Sequence, residues 1–317
     1  MFNCAVGKVS LPAVFNEPLS LLQRSAEDLA YCNLIDAAVG CSEPLERLAY
    51  IAAFAVSAYA STHERTLKAF DPLLGETYEC CRADLGFRFL AEKVGRSPST
   101  IAFHAESFDS ASFDADGGTS RNPSPISLSV FTAVRYLGDS DVVGARYSFW
   151  GDMEAKVSFT GRSAELKPSG KLHLQLPQTK DHFTWQKVKS SVHNVIVGDL
   201  WIEHSGTMEV RNESTGDSCR LQFGQRDWDA YADRGAASAG NEIKGDVVDS
   251  NGAAFAAITG HWHERLEMVP VDVRTPSPAK PARTFVAVAH GGRRRLARRV
   301  PRAARCGRWL RRTRTRQ

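Results

Sequence analysis

The hydrophobic rhythm of the chain changes near Pro72. Before it, Leu19, Leu22, Ala26 and Leu29 recur every three or four positions, which gathers them on one face of a helix. Glu17-Pro18 supplies a start, because proline fits the first helical turn. Gly40 interrupts the pattern. Ser42 as N-cap with Pro44 behind it predicts a second helix, whose buried stripe is Leu45, Leu48, Ala52, Val56 and Tyr59. The spacing therefore predicts two helices between residue 18 and about residue 62.

Beyond Pro72 the period shortens to two. Leu172, Leu174 and Leu176 alternate with His173 and Gln175, as in a half-buried strand. Val188, the run Val195-Ile196-Val197, and residues 200–210, 221–223 and 243–248 continue the β-rich character. Asn251-Gly252 predicts a tight hairpin joining Val247-Val248 to residues 253–258. Many short strands without intervening helices predict a mainly β fold with N-terminal helices, its strands forming an antiparallel barrel or sandwich. Residues 109–127, rich in Ser, Asp, Gly and Pro, read as a surface loop. From about Val271 the sequence turns Pro- and Arg-rich and loses periodicity.

Composition narrows the class. Hydrophobic residues make up 43% of the 317, enough for a sizeable core. No apolar run approaches the length that spans a bilayer as a helix, and Met1-Phe2-Asn3-Cys4 does not open like a secretory signal. The seven cysteines include the adjacent Cys80 and Cys81 and form no C-x-x-C pair, which fits reduced thiols in the cytosol. The net charge of +4 hides an asymmetry, for twelve arginines and no acidic residue lie between Arg293 and Gln317. Without them the body of the chain is acidic. That tail reads as a disordered extension with a capacity for anionic surfaces.

Candidate chemistry is sparse. His261-Trp262-His263-Glu264 would set two imidazoles on one strand face, but no third ligand stands at a telling spacing. His104 and Glu106 would share a face as an acid/base pair or, more simply, as a structural hydrogen bond. There is no G-x-S-x-G elbow, phosphate-cradling glycine loop or dinucleotide fingerprint, so nothing points to a cofactor.

Ordered motifs along the chain carry a resemblance. Asn16-Glu17-Pro18-Leu19-Ser20 precedes Leu22-Gln23-Arg24. Lys68-Ala69-Phe70-Asp71-Pro72-Leu73-Leu74-Gly75-Glu76-Thr77 resembles a Lys-Pro-Phe-Asn-Pro-Leu-Leu-Gly-Glu-Thr string. Phe103-His104-Ala105-Glu106-Ser107, the stretch 185–191, Asn194-Val195-Ile196-Val197-Gly198, Leu200-Trp201-Ile202-Glu203-His204 and Gly260-His261-Trp262 follow in order. Over residues 8–268 the chain resembles the ligand domain of the oxysterol-binding protein family. The resemblance implies a near-complete antiparallel β-barrel around an apolar lipid tunnel. It implies a partial lid at 1–15, the lipid-binding domain at 16–270 and a divergent tail at 271–317. It further implies a non-enzymatic carrier of sterol or phospholipid, with no cofactor and no nucleic acid. Exchange for phosphatidylinositol 4-phosphate, and a cytosolic protein touching organelle membranes peripherally, belong to the same expectation. A degenerate member that senses lipid or docks on membranes is the alternative.

The departures are specific. A signature that normally reads Glu-Gln-Val-Ser-His-His-Pro-Pro is here Glu92-Lys93-Val94-Gly95-Arg96-Ser97-Pro98-Ser99. Arg96 and Ser97 stand where the family's phosphate-contacting histidines would be, and arginine offers a planar fork of donors. Lys68 falls on the family's headgroup lysine, and Asp71 replaces an asparagine with a charge that repels phosphate unless neutralised. Without the resemblance, Lys68 is a solvated lysine, Arg96 a loop arginine and Ser97 a turn residue. Phe70, Leu73, Leu74, Gly75 and Glu76 complete the expected tunnel and signature set, with Leu73 and Leu74 as core or tunnel wall and Gly75 a backbone requirement. The family's C-terminal headgroup helix is unrecognisable after Met268.

Overall fold

The computed structural model describes residues 16–63, 65, 67–108, 145–159, 163–195, 198–224 and 240–271, with the backbone of 283–286. The expected loop at 109–127 and the lid at 1–15 lie outside the described residues, as do the arginines of the tail. No helix among the described residues is long and apolar enough to cross a membrane.

The chain enters through β1 (Asn16–Ser20), which pairs in parallel with β2 (Lys68–Phe70). Pro18 therefore lies in a strand, not in a helix. The first helix, α1 (Leu21–Ser25), begins only after Ser20, which closes a capping box: its hydroxyl accepts from the Gln23 N–H, and the Gln23 side chain accepts from the Ser20 N–H at 2.8 Å. A 3-10 turn over Ala26–Leu29 leads to α2 (Asn33–Val39). The three-and-four spacing that predicts one helix thus runs from Leu19 in β1 through Leu22 in α1 to Ala26 and Leu29 in the 3-10 turn, with Leu22 and Leu29 both buried across the break. α3 (Pro44–Ser57) starts with Pro44 behind Glu43 rather than Ser42.

α3 is buried nearly all round from Arg47 to Ser57, as expected of a helix enclosed by other elements. Its enclosure is a single antiparallel sheet. The first four strands are β3 (Thr77–Arg82), β4 (Phe87–Arg96), β5 (Ser99–Ser107) and the long β6 (Ser148–Phe159). β7 (Ala164–Ser169) and β8 (Leu172–Leu176) pair in succession with β6, and β9 (Asp181–Trp185) and β10 (Lys189–His193) pair back on them. β11 (Trp201–Asn212), β12 (Ser218–Phe223), β13 (Glu242–Val248), β14 (Ala254–His261), β15 (Arg265–Pro270) and β16 (Arg283–Val286) complete the meander. The curled sheet is not closed by hydrogen bonds among the described residues: β3 and β16 are its two ends. The expected near-complete barrel is what forms, with β16 pairing antiparallel with β15 at its end.

The predicted hairpin at Asn251-Gly252 is present but longer than two residues, since Val248 pairs with Ala254. Asp249 holds the loop by accepting from the N–H groups of Asn251 and Ala253, both at 2.8 Å. Cys32, Cys41, Cys80, Cys81 and Cys219 are free thiols.

Registers define the two faces. Opposed residues share a face, so Phe89, Phe103, Phe149, Leu174, Phe183 and Val210 point inward together. α3 packs on them: Phe54 meets Phe149 edge-on at 5.5 Å and Trp185 at 6.2 Å. Arg47 donates to buried Asp181 at 2.7 Å, and Asn212 donates to the second carboxylate oxygen at 2.8 Å. Past the helix, Tyr59 accepts from the Val188 N–H at 2.7 Å.

Candidate functional site

The inner face does not stay filled along its length. Following β6 outward from Phe149, the inward positions are Gly151, Met153, Val157 and Phe159, and opposite Val157 stands Leu166 of β7. Val157 is 67% exposed, and Phe159 and Leu166 are also exposed. The same face continues through Ser190 and Val192 of β10 to Ile202 of β11, all partly open. Here apolar side chains line the concave side of the sheet beyond the reach of α3.

Across the sheet this open end meets β4. Phe87, Phe89 and Ala91 alternate inward, and the next inward residue is Lys93, opposite Ile101, which is itself opposite Met153. Lys93 is only 5% exposed. Its ammonium donates to the Ser99 hydroxyl, and among the described residues no carboxylate lies in salt-bridge contact with it. Desolvation pulls its pKa below the ordinary lysine value; attraction to Asp71 opposes this and repulsion from Lys68 adds to it.

The segment after β2 is tied to Lys93 through its backbone. The Gly75 N–H donates to the Lys93 carbonyl at 2.8 Å, and the Lys93 N–H donates to the Glu76 carbonyl at 3.0 Å. Glu76 closes the turn by accepting from the Leu73 N–H at 2.8 Å. Gly75 has φ of +77° with nothing near its absent Cβ, so backbone conformation and not crowding calls for glycine. Upstream, buried Glu17 accepts from Arg65 at 2.8 Å and Arg24 at 3.2 Å, joining β1 and α1 to the chain entering β2.

The expected site residues therefore divide. Lys68 and Asp71 come together with Lys93, Lys68 donating to Asp71 at 2.7 Å, so the charge expected to repel phosphate is already paired. Arg96 ends β4 and Ser97 opens the turn to β5, both exposed, three and four residues beyond Lys93. Leu73 and Leu74 are not core: they are 77% and 55% exposed, and Phe70 beside them is exposed as well. The hydrogen-bonded Leu73–Glu76 turn carries them. Lys93 is the residue missed by reading the signature for histidines; the alternation Phe87, Phe89, Ala91, Lys93 would have found it.

Histidines elsewhere serve structure. β14 ends at His261, so His263 lies in the following turn and not on its strand face; it stacks on His63 at 4.4 Å. No group of three or more metal-ligating side chains converges among the described residues. His104 is buried, and its neighbour Glu106 is engaged by Arg88. His204 is fully enclosed. The Thr62 hydroxyl donates to the Tyr59 carbonyl at 2.6 Å, so His204 Nε2 must donate to Thr62 Oγ1, leaving Nδ1 to accept from Ser190, both at 2.8 Å. Burial depresses its pKa to about 3.

A curled antiparallel sheet around a buried helix, with exposed Val157, Phe159 and Leu166 on its inner face, defines a ligand-binding domain of the barrel type. The family model described as oxysterol-binding protein matches residues 1–124 and 140–295, and the chain belongs to that family. Human oxysterol-binding protein-related protein 7 is 38% identical over 264 residues, covering 82% of this chain and 26% of its own length. Mouse oxysterol-binding protein 2 is 34% identical over 281 residues, covering 87% of this chain and again 26% of its own. The chain thus spans about a quarter of these relatives. The crystal structure of the Osh1 ORD domain in complex with cholesterol matches 89% of this chain and 56% of that one, with a TM-score of 0.64 and 29% identity. The Osh3 ORD from Saccharomyces cerevisiae, crystallised with PI(4)P, matches 82% of this chain and 59% of its own with a TM-score of 0.62; at 23% identity it speaks for the fold.

Proposed function

We propose that this domain binds a membrane lipid, sterol or phospholipid, against the open half of its inner wall and carries it between membranes without chemical change. The single observation that carries this is the exposed inward row of Val157, Phe159 and Leu166, continuing from partly buried Met153. Apolar surface of this kind calls for an apolar occupant. A sterol-sized ligand hiding ~400 Å² there gains about 10 kcal/mol relative to water at ~25 cal/mol per Å². The same surface is already hidden in a bilayer, so the net difference between membrane and protein is small, as a carrier needs. That a related domain was crystallised with cholesterol supports the choice of lipid.

Exposed Phe70, Leu73 and Leu74 beside Lys68 give an apolar and basic edge suited to touching a membrane peripherally. Exchange for phosphatidylinositol 4-phosphate is the finer form of the proposal, with Lys68, Arg96 and Ser97 as the phosphate contacts. Incubating the full chain with liposomes containing labelled cholesterol, then separating protein from vesicles, tests the carrier. Saturable, stoichiometric uptake is expected; its absence from folded protein sinks it. Adding phosphatidylinositol 4-phosphate to acceptor vesicles separates exchange from a sensor that binds without transferring, since only an exchanger is accelerated.

A further inference from the structure

We propose that Lys93 is the specificity-determining residue of the cavity and that it selects lipids carrying an anionic group, a phosphate monoester or a carboxylate, over neutral sterols. The inference rests on the carrier reading above. Lys93 replaces the family signature's glutamine and stands buried opposite Ile101, whereas Arg96, brought by the bulge after Lys93 to stand opposite Ser99 on the same face, is exposed at the strand's end.

Three observations converge on it. Lys93 as a residue is only 5% exposed, yet the hydrogen-bond partner of its ammonium among the described residues is a neutral hydroxyl, that of Ser99. A buried cation held this way is costly unless an anion arrives. The nearby carboxylate, Asp71, is already taken by Lys68 at 2.7 Å, so it attracts Lys93 only from a distance. Finally, Lys93, Ile101 and Met153 stand side by side across three strands on the inner face. At about 4.8 Å per strand, roughly 10 Å separates the backbone of Lys93 from that of Met153, where the apolar row starts. A lipid whose anionic group sits on Lys93 would therefore lay its apolar body along Met153, Val157 and Phe159. The depressed pKa of Lys93 has the same cause, burial of the charge, and an anionic ligand would reverse it.

The test compares the full chain with Lys93→Gln and Lys93→Arg. Each is incubated with phosphatidylcholine vesicles carrying labelled phosphatidic acid in one set and labelled cholesterol in another. Lys93→Gln is expected to reduce phosphatidic acid uptake by about ten- to a hundredfold, the range of one charge-assisted contact, while cholesterol uptake is kept or rises. Lys93→Arg should restore part of the loss. Thermal melting of the empty proteins supplies the second readout: Lys93→Gln should melt at or above the parent temperature, because it removes a buried charge waiting for its partner. A lower melting temperature with both lipids lost equally makes Lys93 a structural residue and overturns the proposal. Uptake of cholesterol but not phosphatidic acid by the parent chain overturns it while leaving the carrier intact; uptake of neither removes both. Titration with inorganic phosphate decides the source of the anion, since binding as tight as that of phosphatidic acid would leave the apolar wall no part and overturn the lipid assignment.

Discussion

Along the inner face of β6, Phe149 and Val157 are eight residues apart on the same strand and the same side, yet they live in different environments. Phe149 is wedged against Phe54 and stacked on Trp185 with ring centroids 5.7 Å apart, whereas most of Val157 is exposed. The difference is α3. Where the helix runs, the barrel has a jigsaw interior; where it ends, the strands continue without it. The lesson is that one sheet can serve stability at one end and binding at the other, with the division set by the length of a single buried helix. Chemistry follows the same division, for the filled half pairs its charge, Arg47 with Asp181, while the open half leaves Lys93 without a counter-ion among the described residues.

The sharpest way to break this contrast is to damage the filled half. Truncating Phe54 to alanine removes the ring that contacts both Phe149 and Trp185 and should cost about 3–5 kcal/mol. Arg47→Met should cost a similar ~3–5 kcal/mol, because it strands the Asp181 carboxylate in the interior with Asn212 as its remaining side-chain donor. Chemical denaturation of each variant measures both. Losses below about 1 kcal/mol would mean that the helix does not fill the barrel as described.

His204 stands near the seam between the halves and gives a pH handle. Its pKa falls from the ordinary histidine value of about 6.5 to about 3 on folding, so the unfolded chain binds the proton more readily. Stability from this group is complete above about pH 6.5 and is lost as pH falls towards 3, at roughly 1.4 kcal/mol per unit inside that window. At pH 5 the loss should be about 2 kcal/mol. Melting curves between pH 7.5 and pH 5 for the parent and for His204→Gln, with the glutamine variant showing the flatter profile, check it.

The filled half was largely legible in the sequence and the open half was not. Alternation in residues 172–176 and the stripe of α3 follow from burial, and burial imposes period. The split of the first helix escaped detection because Leu22 and Leu29 are both fully buried across a 3-10 turn, so the apolar spacing survives the break. Val157 and Phe159 look like core residues, and only the end of α3 makes them otherwise. Leu73 and Leu74 read as core or tunnel wall, and their exposure excludes the packed core; the Glu76 carboxylate and the Gly75 conformation shape the turn that carries them. Lys93 was hidden by its charge, which reads as solvated unless the strand's parity is followed. Motifs located the segment around Lys68 and Asp71; their ion pair needed coordinates.

The open half should tolerate substitution that the filled half cannot. Val157→Ser and Phe159→Ser replace side chains that already face solvent, so stability should change by no more than about 0.5 kcal/mol. Lipid uptake from vesicles should nevertheless fall severalfold, each lost apolar contact being worth about 1 kcal/mol or more against a bound tail. Destabilisation like that of Phe54→Ala would erase the distinction between the two halves.

The smallest effect is expected at the rim. Lys68 and Asp71 form an ion pair in which both side chains are more than half exposed, a setting where such pairs contribute roughly 0–1 kcal/mol and are weakened by salt. Asp71→Asn should therefore leave the melting temperature almost unchanged. Its consequence lies in the field: the substitution releases Lys68 and removes the nearest attraction felt by Lys93, making the mouth of the cavity more positive. Association with vesicles containing anionic lipid should rise modestly in low salt, and the gain should vanish as ionic strength increases. Because the Lys68–Asp71 pair lies outside the packed half, a stability loss on this substitution, rather than a salt-dependent gain in vesicle binding, would show that the rim belongs to the folding core after all.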